Sequence, residues 1–151
     1  MTRVRRFQVV AGLAMIFLLS FWLPGAHAKP PIGQAAPGFS LKDLQGRTHD
    51  AALLKARPMT VLYFFDAESK PSQEGLVSLA QIVDRFKDSG LTLWAVTLSP
   101  EDKAMDFAKS SGLSVPVLLD KSNVSELYDA QAVLPTVCIV GPELKVLDFV
   151  Q

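Results

Sequence analysis

The sequence predicts an α/β fold with a mixed central β-sheet flanked by helices, and three observations carry the prediction. From Val61 to Tyr128, apolar strand-like runs alternate with stretches whose apolar residues recur at helical spacing, the mark of strand–helix–strand crossovers. The segment Ala36–Thr48 alternates apolar and polar residues up to a glycine-containing turn, an N-terminal β-hairpin. Two apolar runs, Val137–Val140 and Val146–Val150, joined by Gly141-Pro142-Glu143, form a second hairpin at the other end.

Taken in order, Lys29–Ala36 is a proline-rich lead expected to be extended or loosely ordered. After the first hairpin, Val61-Leu62-Tyr63-Phe64-Phe65 reads as a buried strand. The polar break Asp66–Ser72 follows and opens a helix whose Leu76, Leu79, Ala80, Val83 and Phe86 share one face, with Gly90 ending it. Leu91–Leu98 is the next strand, and Ser99-Pro100-Glu101-Asp102 starts a helix with Ser99 as cap and Pro100 at its first position. Met105, Phe107 and Ala108 are core residues of that helix, which Ser110-Ser111-Gly112 closes. Val115–Asp120 is a short strand, and Ser122 is expected to cap a brief helix through Tyr128.

The polar break between strand and first helix is where chemistry is expected. The first N–H groups of a helix are unpaired, and its dipole favours negative charge there. Ser69-Lys70-Pro71-Ser72 occupies that point. The order of apolar strand, short loop, x-x-Pro-x turn and helix resembles the thioredoxin-like superfamily, whose turn carries Cys-x-Pro-Cys or a near variant. The entry segment, Ala36-Pro37-Gly38-Phe39 followed by Asp43-Leu44-Gln45-Gly46, resembles the AhpC/TSA, or peroxiredoxin-like, and membrane-associated thioredoxin branch. The resemblance runs from Ile32 to Gln151 and implies a thioredoxin-like (redoxin) domain over residues 37–151. It also implies a cis-proline at Pro135, facing the active-site turn, with backbone beside it that pairs with an extended polypeptide. Leu134, Pro135 and Thr136 are therefore candidate binding residues, together with Ser69, Lys70, Pro71 and Ser72.

The chain departs from that pattern in two respects. Ser69 and Ser72 stand where the resemblance places two cysteines, and no Pro-x-x-x-Thr-x-x-Cys peroxidase motif is present. A serine hydroxyl forms no disulfide and becomes a nucleophile only beside a general base. His49 reads as a solvated turn residue, and a Ser69–His49–Asp66 relay is the alternative in which it acts as that base. The chain also stops at Gln151, directly after the last strand, where the resemblance implies a C-terminal helix; one sheet face is then expected to lack cover.

The sequence has one cysteine, Cys138, inside the strand Thr136–Val140. A lone cysteine makes no intramolecular disulfide, and two readings stand: a small core residue, or a reactive thiol that pairs with a partner's cysteine.

Arg3, Arg5 and Arg6, then the apolar run Val9–Leu23, then Ala26-His27-Ala28, describe an export signal over residues 1–28, with cleavage expected after Ala28. An uncleaved anchor at residues 9–23 is the alternative. The mature chain of 123 residues keeps 12 of 15 basic residues against all 15 acidic ones, a net charge of −3. A mildly acidic exported domain is not expected to bind nucleic acid. No phosphate-binding glycine loop or metal-ligand cluster is evident, so no cofactor is expected. Two functions follow: a non-catalytic polypeptide-binding protein working beside redox or cofactor-maturation chemistry, or a thiol-dependent oxidoreductase or peroxidase acting through Cys138.

Overall fold

The computed structural model describes residues 29–151, so the export signal at residues 1–28 lies outside the described residues. One sheet holds seven strands: β1 (Ser40–Asp43), β2 (Thr48–Asp50), β3 (Met59–Phe65), β4 (Leu91–Thr97), β5 (Val117–Leu119), β6 (Thr136–Val140) and β7 (Val146–Val150). Their order across the sheet is β2-β1-β5-β4-β3-β6-β7. The helices are α1 (Lys70–Arg85), α2 (Glu101–Ser110) and α3 (Val124–Leu127). None of the described helices is long and apolar enough to cross a membrane.

Mixed pairing follows from the connections. Strands β3, β4 and β5 run parallel, because α1 and α2 carry the chain back between them. Short turns join β1 to β2 and β6 to β7, and these pairs are antiparallel; β1 also pairs antiparallel with β5, and β6 with β3. Side chains alternate across each strand. Val61, Tyr63 and Phe65 of β3 therefore face α1 and α2, where Leu76, Val83, Ala104 and Phe107 cover them. Leu62 and Phe64 face the other way and pack with Trp94, Val96, Cys138 and Val140 beneath Phe39, Leu54 and Tyr128.

Local expectations fail where a side chain finds a better partner elsewhere. Helix α1 stops at Arg85, Phe86 is 54% exposed, and Gly90 instead closes a separate 3-10 turn at φ +80°. Ser99 does not cap α2. Its Oγ accepts from Ala67 N at 2.9 Å and donates to Asp66 Oδ1 at 3.1 Å, which leaves Pro100 at the cap position. Ser122 does not cap α3 either, because the buried Asp120 carboxylate accepts from Val124 N, Ser125 N and Ser125 Oγ. The lead is ordered at its end: Gly33 N donates to Val146 O and Ala36 N to Leu144 O.

His49 is also not a solvated turn residue. It lies on β2 opposite Leu41, its ring edge-on to Trp94 at 5.1 Å between centroids. Its Nε2 lies 2.8 Å from Asp43 Oδ2, an oxygen that also accepts from Arg47 Nε at 2.8 Å. Asp43 Oδ1 accepts from Gln45 N and Arg47 N, which fixes the turn around Gly46 at φ +77°. Burial raises the Asp43 pKa, but these four partners outweigh it and hold the carboxyl down at about 2.

A carboxyl whose folded pKa is lowered stabilises the protein above its unfolded pKa and stops doing so as pH falls through the folded value. Arg47, which covers Asp43, has a side chain 67% exposed, so solvent screening reduces the contribution to about 1–2 kcal/mol. Asp43→Asn should therefore lower thermal stability at pH 7, and the gap to the parent protein should narrow between about pH 4 and pH 2. Calorimetry across that range checks it; a gap that does not change with pH would place the effect elsewhere.

Candidate functional site

Strand pairing brings the sequence-predicted residues to one end of the neighbouring interior strands β3 and β6, the loop edge of the sheet. Phe64 of β3 lies opposite Thr136, the first residue of the antiparallel β6. The chain leaving β3 toward α1 and the chain entering β6 through Leu134 and Pro135 are therefore neighbours at that edge. The Leu134–Pro135 peptide bond is cis. Thr136 is buried, and its Oγ1 donates to Val133 O at 2.6 Å, tying the loop to the start of the strand. Leu134 packs against the core layer holding Phe64 and Cys138.

The turn between β3 and α1 is braced from three sides. Asp66 Oδ1 accepts from Glu68 N at 2.8 Å, and Ser99 links Asp66 and Ala67 to the loop after β4. Gln73 Nε2 donates back to Ala67 O at 2.6 Å from the first turns of α1. Tyr63 Oη, buried under α1, donates to Ser72 O at 3.1 Å. Gly75 makes room for it, since a Cβ there would collide with the Tyr63 hydroxyl. Sequence reading missed Ser99, Gln73 and Tyr63 as supports. The Asp66-x-Glu68 spacing, which suits a carboxylate bonding a backbone N–H two residues on, was the one signal for this turn.

Within that frame the two serines differ. Ser69 takes the N-cap position of α1 with extended backbone, but its side chain makes no capping bond. Ser72 is fully buried and its Oγ has no hydrogen-bond partner among the described residues. Pro71 falls in the first turn, where a missing N–H is costless. Lys70 points to solvent, 84% exposed, 3.7 Å from Glu74. Ser69, Lys70 and Pro71 are thus on the accessible side of the edge and Ser72 forms its floor.

Among the described residues, the Ser69–His49–Asp66 relay does not form. His49 is held by Asp43 on β2, and Asp66 is held by Glu68 N and Ser99 Oγ. A hydroxyl without a base at hydrogen-bond distance stays a weak nucleophile.

Cys138 occupies mid-strand β6, between Leu62 of β3 and Phe149 of β7, with no exposed surface. Burial, and secondarily the negative charge of Asp148, pushes its thiol pKa up to about 12. The thiolate is the reactive form, and burial disfavours it here.

Comparison with known proteins agrees with this architecture. Residues 32–149 match the AhpC/TSA family. The thiol-disulfide oxidoreductase ResA of Bacillus subtilis (strain 168) is 32% identical over 120 residues, which span 78% of this chain and 66% of ResA, just under two thirds of that relative's length. The thioredoxin-like protein YneN of the same organism is 27% identical over 151 residues, covering 93% of this chain and 87% of YneN. The thioredoxin domain of a thiol-disulfide oxidoreductase from Bacteroides vulgatus superposes with a TM-score of 0.71 at 20% identity, over 82% of this chain and 90% of that one. The fold is thioredoxin-like, and the relatives are thiol-disulfide oxidoreductases and thioredoxin-like proteins.

Ellman's reagent should modify Cys138 of the native protein at least about a hundredfold more slowly than the same protein in guanidinium chloride. Equal rates in the two states would show that the thiol is accessible.

Proposed function

The chain belongs to the AhpC/TSA family, and from that premise we propose that it is a non-catalytic, exported thioredoxin-fold protein that binds an extended polypeptide. The binding edge holds Ser69, Lys70 and Pro71 on one side and Leu134, Pro135 and Thr136 on the other, with Ser72 beneath. One observation carries the reading: the loop edge keeps its braced geometry, while the only sulfur nucleophile in the sequence is sealed inside β6. The backbone around Pro135 offers hydrogen bonds to an extended strand whatever stands at positions 69 and 72. Recognition therefore does not depend on thiol chemistry.

An oxidoreductase acting through Cys138 would require the core layer over it to part, since the thiol is fully buried in the cluster that holds Leu62, Phe64, Tyr128 and Phe149. That weighs against the catalytic reading. Export is supported by the basic, apolar and Ala-x-Ala blocks over residues 1–28. A partner in a redox or cofactor-maturation setting is in keeping with what the relatives are named for, thiol-disulfide exchange.

Titrating the isotope-labelled protein with a library of cysteine-free, unstructured 12-residue peptides tests this. Binding should shift the amide resonances of residues 66–72 and 133–136, and Pro135→Ala should weaken it by about tenfold or more. No binding anywhere in the library, or shifts confined to another face, would overturn the proposal.

A further inference from the structure

Charge is distributed unevenly over the molecule. Strands β3, β4 and β5 run parallel and end at the loop edge, where α1, α2 and α3 begin and the chain turns back into β6. The β3–α1 turn and the start of α1 carry Asp66, Glu68 and Glu74 against Lys70. The start of α2 carries Glu101 and Asp102 against Lys103, and the segment around α3 carries Glu126 and Asp129 against Lys121. Leaving out the buried Asp120, seven carboxylates stand against three cations at this edge, a formal charge of −4. The rest of the mature chain sums to +1. Helix dipoles favour acids at the starts of α1 and α2, but Asp129 follows α3 and owes its place to neither.

Three of these carboxylates are uncommitted. Among the described residues the side chains of Glu68, Asp102 and Asp129 make no hydrogen bond or ion pair, whereas Glu101 holds Lys121 at 3.0 Å and Asp66 holds Glu68 N and Ser99 Oγ. They are spread along the edge. Asp102 follows β4, Glu68 follows β3, and Gln151 Nε2 donates to Asp129 O, which sets Asp129 beside the end of β7. With β6 between β3 and β7, the row crosses four strand ends, about 14 Å at the usual strand spacing. No three acidic, histidine or cysteine side chains among the described residues converge as one metal ion requires. A row of separated charges suits a polymer, and an extended chain spans it in about five residues.

A buried atom at the same edge lacks a partner. Of the two buried hydroxyls without a hydrogen bond among the described residues, Thr60 lies near the start of β3 and Ser72 at the loop edge. Ser72 is the third residue of α1 after the Ser69 cap. A side chain there reaches back toward the cap, into the turn that carries Glu68. Its Oγ can accept from a cationic group that enters the turn.

We propose that the extended polypeptide held at the loop edge is a cationic one, whose lysine or arginine side chains are spaced to meet Glu68, Asp102 and Asp129. The inference rests on the polypeptide-binding reading and adds the chemical class of the partner. Opposite charge steers such a chain to this edge and away from the rest of the surface.

Titrating the isotope-labelled protein with three cysteine-free 12-residue peptides tests it. The peptides share length and apolar content and carry four lysines, four glutamines or four glutamates. The lysine peptide should bind at least about tenfold more tightly than the glutamine peptide and shift the amides of residues 66–72 and 129–136. Its affinity should fall by about fivefold or more between 50 and 300 mM salt, and the glutamate peptide should not bind. Glu68→Gln combined with Asp129→Asn should remove most of the lysine peptide's advantage; asparagine keeps the left-handed backbone of Asp129 at φ +50°. Asp84→Asn, near the far end of α1, should leave that advantage intact. Lysine and glutamine peptides that bind the edge equally would overturn this inference and leave polypeptide binding standing. An Asp84→Asn variant as weak as the double variant would also overturn it, by assigning the attraction to overall charge. No binding by any of the three peptides would overturn both readings.

Discussion

Strand β3 is paired on both edges and packed on both faces, and the rest of the molecule is arranged by that constraint. From Thr60 to Phe65 all its side chains are buried. Its parallel partner β4 and antiparallel partner β6 each run alongside it for at least five residues. Each fully buried Val, Leu or Phe side chain contributes about 1.5–3 kcal/mol, so the register of β3 is held far more firmly than that of any edge strand. Because the register is fixed, the position of the chain at its end is fixed too. Asp66 to Ser69 must emerge beside the loop that enters β6, and beside the loop that leaves β4.

That frame separates geometry from chemistry at the loop edge. Ser99, Gln73 and Tyr63 hold the turn through hydrogen bonds to backbone and carboxylate atoms. None of those bonds involves the side chains of Ser69 or Ser72. The turn therefore keeps its form with oxygen at both positions, while a hydroxyl pair has no disulfide state and stores no electrons. The cysteine of the sequence lies where sheet packing takes a small apolar group, between Leu62 and Phe149. Under the proposed function, a partner binding at this edge is held by shape and backbone hydrogen bonds, and leaves chemically unchanged.

The strands were legible in the sequence because their signal is local. Runs such as Val61–Phe65 and Leu91–Thr97 are apolar, β-branched or aromatic without interruption, as strands buried on both faces must be. The loop edge was legible only through resemblance, since nothing in the spacing of Ser69 and Pro135 brings two segments so distant in sequence together. What escaped reading were side chains with a choice of partners. Ser99 had a helix N-terminus within reach but bonds the β3–α1 turn across 33 residues of sequence, a contact with no local signature. His49 stands among turn residues in the sequence; the buried Asp43 six residues earlier and the Trp94 ring draw it inward instead. Ser122 lost its capping role to Asp120, whose carboxylate accepts four bonds, from Ser122 N, Val124 N, Ser125 N and Ser125 Oγ. Tertiary partners override local propensity in each case.

The proposal joins a thioredoxin-like frame to a function without electron transfer. Reduction of a disulfide substrate such as insulin, followed side by side for the native protein and for a folded variant carrying Ser69→Cys and Ser72→Cys, tests it most directly. The account predicts no turnover by the native protein above that of its Cys138→Ala variant, and a gain of turnover in the double-cysteine variant, whose turn closes a reducible disulfide. Turnover by the native protein, or a folded double-cysteine variant that neither forms the disulfide nor turns over, would contradict it.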